Sequence, residues 1–241
     1  LQSDRVRLEW DATGHAYRKT ISAGKSSSAW LRDVVLKPVV HRLLGDRSND
    51  AVLDVGTGGG WLFDDIRVRE AYGCDIVQPD RTASGVDFRI ADLLALPYDD
   101  ARFDAIVASV VLCYCEDLTV AATELGRVVR KGGSAVVALV HPYFYRTGQV
   151  EADGTYRITA DLSAPTPFEI LIGGKVGPFT YYPHRPDSYV NAFLDSGWRL
   201  SRMEDAFIPR DEYRRRYAAD RDEMRRATNV PLFSFFRFER A

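Results

Sequence analysis

The stretch VLDVGTGGG, residues 52–60, reads as a buried strand over 51–55 opening into a loop with Gly56, Gly58, Gly59 and Gly60. The strand carries one acid, Asp54, just before the first glycines. Glycines at alternate positions remove the Cβ atoms that would keep a ligand off the backbone, and they permit positive φ in a tight turn. A strand, a glycine loop and a following helical segment make the nucleotide-binding corner of a doubly wound α/β sheet. The identity of the nucleotide then decides the function.

Two ligands compete for that corner. A dinucleotide fingerprint needs Gly-x-Gly-x-x-Gly or Ala, the last small residue letting the helix approach the strand. Counted from Gly56 and Gly58, the third position is Trp61; counted from Gly58 and Gly60, it is Phe63. Both are too bulky. The acid at 54 repels a pyrophosphate and suits a ligand with an ammonium group, such as S-adenosylmethionine (SAM).

At these residues the chain resembles the class I SAM-dependent methyltransferases, and the resemblance continues over the next ninety residues. GCDI, residues 73–76, resembles the end of that family's second strand, which makes Asp75 the acid that takes both ribose hydroxyls and places Ile76 beside it. Its distance from the glycine loop, about twenty residues, is what a βαβ unit imposes. RIADLLALPYDDARFDAIVAS, residues 89–109, resembles the third strand, a loop and the fourth strand. Asp92 then matches the acid that accepts from the adenine amino group, and Leu93 the residue whose amide reads the ring. The resemblance also puts Tyr17, Trp30, Gly60 and Ser109 around the cofactor. LGRVVRKGGSAVVALVHP resembles the helix, Lys-Gly-Gly turn and fifth strand that follow.

The implied architecture is a doubly wound, mostly parallel seven-stranded sheet with helices between its strands. Residues 1–50 read as a helical lid. WLRDVVLKPVVHRLLG has an apolar helical stripe ended by Gly45, with a break or kink at Pro38. Residues 51–140 read as the SAM-binding core, with strands near 51–55, 71–76, 87–91, 103–109 and 133–140. Residues 141–185 interrupt the alternation with β-branched and aromatic residues set between Gly and Pro, which predicts short antiparallel strands. An insertion after the fifth strand lies at the carboxyl edge of the sheet, where ligands bind, and reads as a substrate cap. Residues 186–241 resume the core: a helix over 186–196, a sixth strand, a charged helix over 211–227, and a seventh strand over 233–240 that runs antiparallel in this family. Tyr213, Tyr217 and Met224 recur along one face of that charged helix and read as residues that pack onto the cap.

Methyl transfer from a sulfonium is an in-line displacement, so alignment in a water-poor pocket is the enzyme's main task. The cap's Tyr143, Phe144, Tyr145, Phe168, Phe179, Tyr181 and Tyr182 imply an acceptor with planar or apolar surface, and Tyr143, Tyr145, Tyr182 and Arg185 are candidate acceptor contacts. His141 follows the fifth strand and His184 ends the cap. Histidine titrates near neutrality and suits proton removal from an amine or hydroxyl. His141, Tyr143 and His184 are therefore the candidate catalytic groups. YYPHRP resembles the Tyr-His-Arg-Pro element of a methyltransferase subgroup, with Pro183 as an extra residue. After the fourth strand Cys113 and Tyr114 stand where many relatives have a His or Asn pair. N-, O- and C-methylation are equally open on these residues.

Formal charge is −2 with scattered basic residues, which removes the electrostatic footprint of nucleic-acid binding. The dense run over 210–226 alternates Arg with Asp and Glu, as a solvated helix face does. No apolar run reaches the length of a membrane span, and three cysteines without a second CxC pair argue for reduced thiols rather than a metal site. A cytoplasmic monomer or homodimer is expected, taking SAM and a small aromatic or hydrophobic acceptor in specialised metabolism. The alternatives are a SAM-binding enzyme that uses the sulfonium for a non-methylating rearrangement or cyclisation, and a protein or nucleic-acid methyltransferase.

Overall fold

The computed structural model describes residues 2–22, 26–79, 82–141, 148–151, 155–159, 161, 163, 166–172, 176–217 and 228–241. Five parallel strands form its centre: β1 (Arg47–Val55), β2 (Val68–Asp75), β3 (Val86–Ile90), β4 (Phe103–Ser109) and β5 (Val129–Val140). Two short hairpins follow, β6 (Gly148–Val150) with β7 (Tyr156–Ile158), and β8 (Phe168–Ile172) with β9 (Val176–Tyr181). β10 (Trp198–Ala206) and β11 (Phe233–Arg240) complete a seven-stranded sheet in the order β3-β2-β1-β4-β5-β11-β10. β11 runs antiparallel to both neighbours, as expected.

The strands are apolar on both faces because both faces are covered. On one face Leu53, Val55 and Ile106 pack with residues of α4 (Leu118–Val128) and α5 (Pro186–Asp195). On the other, Val52, Val107 and Val136 meet Val40, Leu43 and Leu44 of α3 (Lys37–Leu44). Asp117 caps α4 by accepting from the amides of Thr119 and Val120, and Pro186 starts α5 where no amide partner is needed. Arg240 donates to the carbonyls of Gly126, Ser196 and Gly197, and so ties β11 to the ends of both helices.

The N-terminal region is helical: α1 (Gln2–Ser22), α2 (Ser27–Leu31) and then α3. At the break expected near Pro38 the helix widens instead into a π-helical segment, Arg32–Leu36, where the Lys37 amide reaches back to the Arg32 carbonyl. Proline, which has no N–H, cannot continue the ordinary ladder.

The expectation of helices between the core strands is corrected at the first two crossovers, while the third, between β3 and β4, is the loop read from the sequence. After the glycine loop there is only a 3₁₀ turn, Trp61–Asp64, and between β2 and β3 the described residues hold no helix. β2 starts at Val68, and the seven residues after Gly60 hold the 3₁₀ turn and the run into that strand. Of the charged helix expected over 211–227, the described residues show α6 (Arg210–Arg216), capped at Tyr217; residues 218–227, Met224 among them, lie outside the described residues.

Candidate functional site

The carboxyl ends of β1, β2 and β4 converge on the glycine loop. Gly56 has φ +68, and a Cβ there would sit 2.5 Å from Cγ2 of Val111, so only glycine lets the loop pass under the segment after β4. That segment is itself bent: Val110 has φ 55, a left-handed conformation rare for a β-branched residue. Gly58 also has positive φ and open space where a side chain would be, and its amide donates to Oδ2 of Asp75 at 2.9 Å. Asp75 therefore clamps the glycine loop from the end of β2.

Asp54 is 1% exposed. Its Oδ2 accepts from the Thr57 hydroxyl at 2.7 Å, while Oδ1 has no hydrogen-bond partner among the described residues. Burial pushes this carboxyl up to about 7, against the Thr57 bond, and the nearby Asp75 carboxylate adds to the rise. An orphaned, desolvated acid beside a glycine loop is half of an ion pair, and a ligand ammonium would complete it. The residues present thus fit the amino-acid end of SAM. Ser109 at the end of β4 also holds a buried hydroxyl without a partner among the described residues.

Asp92 follows β3, accepts from the Leu94 amide at 2.9 Å and lies close to Cys115, whose thiol burial pushes up to about 12 with help from the Asp92 charge. Leu93 is half-buried against the core. Ile76 joins a third apolar cluster with Val6, Trp10 and Tyr17 of α1, Cys113 and Tyr114, and Phe179 and Tyr181 of β9. This cluster roofs the glycine loop. Burial, together with the charges of Asp75 and Cys113, raises the Tyr17 phenol to about 12, while Arg32 opposes. Trp10 packs on Phe179 at 4.4 Å and edge-on to Tyr17 and Tyr114.

Polar bonds hold α1 in place. Glu9 accepts from the amide and hydroxyl of Thr180 at 2.9 and 2.7 Å, and Arg5 donates to the Tyr182 hydroxyl. Tyr182 is buried, its hydroxyl lies 3.5 Å from Glu116, and its amide donates to the Cys113 carbonyl. Trp30 goes elsewhere: it meets Tyr217 edge-on at 5.7 Å in the α3-side cluster, beneath α6, and is not part of the Tyr17 group. Tyr213 and Tyr217 do pack, as expected, but against this N-terminal region rather than the hairpins.

The two candidate histidines differ. His184 Nε2 lies 2.6 Å from the Cys115 carbonyl, and burial lowers its pKa; the ring ties the insertion to the turn after β4. Arg185 forms a two-bond pair with Asp187 at the start of α5. His141 is 4% exposed at the end of β5, with Nε2 3.8 Å from Oδ2 of Asp205. Burial lowers its pKa, and Asp205 pulls it back up. Tyr143, Phe144 and Tyr145 lie outside the described residues. Sequence reasoning passed over Thr57, Glu9, Glu116 and Asp205; of these only Thr57, inside the glycine loop, carried a local signal. The cysteines are free and buried, and among the described residues no cluster of three or more His, Cys, Asp or Glu side chains could hold a metal ion. Nor, among those residues, is any helix long and apolar enough to cross a membrane.

Comparison with known proteins agrees with this geometry. Residues 53–137 match the family described as methyltransferase domain. A malonyl-[acyl-carrier protein] O-methyltransferase of Erwinia billingiae is 28% identical over 52% of this chain and 52% of its own length. The chain thus spans about half of that relative. A demethylmenaquinone methyltransferase of Deinococcus radiodurans is 29% identical over 77% of this chain and 76% of its own. Among solved structures, a SAM-dependent methyltransferase of Mesorhizobium loti superposes with a TM-score of 0.69 at 19% identity, covering 84% of this chain and 96% of that one.

Proposed function

From the premise that this chain carries a class I SAM-dependent methyltransferase domain, we propose that it methylates a small acceptor with planar or apolar surface, held between α1 and the β8–β9 hairpin. The observation that carries the reading is the buried Asp54, whose unpartnered oxygen awaits a cation at the glycine loop. Bound SAM supplies an activated methyl group on a sulfonium. Asp54 holds the ammonium end, Asp75 the ribose and Asp92 the adenine edge, which fixes the donor in one pose. α1 acts as a lid: Tyr17, Trp10 and Ile76 exclude water from the donor, and aromatic faces favour its positive charge. Residues 141–185 act as the cap that selects the acceptor.

When the acceptor is an amine or hydroxyl, His141 takes the proton it loses, and the buried ring keeps a neutral, accepting form at physiological pH. The relatives are named for a malonyl-[acyl-carrier protein] and for demethylmenaquinone, and the quinone is the acceptor of the class proposed here. The buried free cysteines fit a cytoplasmic setting. A mass-spectrometric screen of candidate acceptors with SAM tests the reading. A gain of one methyl with equimolar S-adenosylhomocysteine supports it; turnover without S-adenosylhomocysteine would reassign the domain to the non-methylating class.

A further inference from the structure

Three strand ends at the carboxyl edge bring together residues that are far apart in sequence. His141 leaves β5, Asp205 is the next-to-last residue of β10, and Ser234 is the second residue of β11, paired in register with Asp205. The Ser234 hydroxyl donates to Oδ1 of Asp205 at 2.5 Å, and the other carboxylate oxygen faces Nε2 of His141 at 3.8 Å. Ser234 is fully buried and His141 nearly so, while the Asp205 side chain is 34% exposed. Backbone bonds fix the frame: the His141 amide donates to the Leu232 carbonyl, and the Leu232 amide to the Ala206 carbonyl.

From this arrangement we propose that Asp205, aimed by Ser234, is the positioning residue for His141. It turns the imidazole and stabilises the imidazolium formed when the ring receives the acceptor's proton. The inference deepens the proposed reaction and rests on His141 as its base. Charges balance: the acceptor's X–H proton passes to His141, the X–C bond forms as the S–C bond breaks, and the sulfonium charge ends on the imidazolium beside the Asp205 carboxylate. The charged group facing the ring from β10 is Asp205; β11 contributes the neutral Ser234, and the segment before β11 a carbonyl. A carboxylate at this distance from a poorly hydrated ring favours its charged form, and at 3.8 Å it does so as an ion pair rather than through a direct hydrogen bond. Serine keeps the carboxylate from rotating away into the solvent to which it is partly open.

The experiment follows the His141 ring by NMR across pH in the ligand-free protein, in parallel with pH–rate profiles. Parent, Asp205→Asn, Asp205→Glu, Ser234→Ala and His141→Ala proteins are compared. Asp205→Asn should lower the ring's pKa by about one pH unit, move the acidic limb of the rate profile by the same amount, and cut kcat roughly tenfold with KM little changed. Ser234→Ala should do the same to a smaller degree, and Asp205→Glu should restore much of the loss. A ring titration unmoved in Asp205→Asn, or a rate limb that stays put while the ring shifts, overturns the positioning role even if His141→Ala is inactive. A fully active His141→Ala instead overturns the base assignment, and with it any catalytic use of Asp205.

Discussion

Replacing Asp54 with asparagine should stabilise the ligand-free protein at alkaline pH and weaken its hold on the cofactor. The carboxyl is 1% exposed and pushed from 3.8 up to about 7, chiefly by burial. Forcing it to ionise at pH 8 or above therefore costs the fold roughly 4 kcal/mol, at about 1.4 kcal/mol per pH unit. The sign follows from proton counting. Between the ordinary carboxylate range and pH 7 the native state binds more protons than the unfolded chain, so stability is greatest below about pH 4 and falls as pH rises through 7. Asparagine keeps an oxygen for the Thr57 hydroxyl but does not titrate. Its stability relative to the parent should improve by roughly 2–3 kcal/mol between pH 5 and pH 8, read from paired urea titrations. Every other ionisable group is common to both proteins and cancels. Affinity for S-adenosylhomocysteine, which keeps the ammonium, should fall by about 1.5–3 kcal/mol in the variant. Binding to the parent near neutrality should also release a proton, visible as a buffer-dependent calorimetric heat. A stability difference that is flat with pH would refute the argument, because the carboxylate would then be hydrated in the free protein.

Asp75→Ala removes both the ribose acceptor and the clamp on the Gly58 amide, so S-adenosylhomocysteine affinity should drop by about 1.5–3 kcal/mol; unchanged calorimetric binding would sink the assignment. Glu9→Ala frees the Thr180 amide and hydroxyl and should speed cofactor dissociation and proteolysis within α1, and an unaltered dissociation rate would count against a lid. Arg240→Ala removes the guanidinium donor from three carbonyls at the helix ends and should cost roughly 2 kcal/mol of stability while cofactor affinity stays at the parent value; a loss of affinity would show that the two ends of the sheet are coupled.

What could be read in advance follows the range of the interaction. The parallel core was legible because a strand buried on both faces needs a near-continuous apolar run, and 51–55, 103–109 and 133–140 each supply one. The antiparallel last strand came from the resemblance, since FSFFRFER would alternate equally well in either direction. The first crossover was misread because β2 starts at Val68, among charged residues that give no strand signal of their own. The positions of Asp54, Asp75 and Asp92 at the ends of β1, β2 and β3 were legible because local sequence sets those strand ends. Asp205 had no such mark. It lies among alternating charges in WRLSRMEDA and acquires meaning only when β10 pairs with β11 in a register that sets it beside Ser234. The contact of Trp30 with Tyr217 was unreadable for the same reason, since the partner lies 187 residues later in the chain.

The roof over the glycine loop carries the last step. Trp10 packs against both Tyr17 and Phe179, so these aromatic rings already serve one another before any acceptor arrives. An acceptor under the cap must then replace ring–ring contacts with ring–ligand contacts, and the net gain is smaller than the buried area implies. The polar bonds from Glu9 and Arg5 join α1 to β9 and to Tyr182 just beyond it. Selectivity in such an arrangement comes from which ligand best re-covers the rings and satisfies Asp54 at once, and a donor that leaves Asp54 unpaired gains little from the roof closing over it.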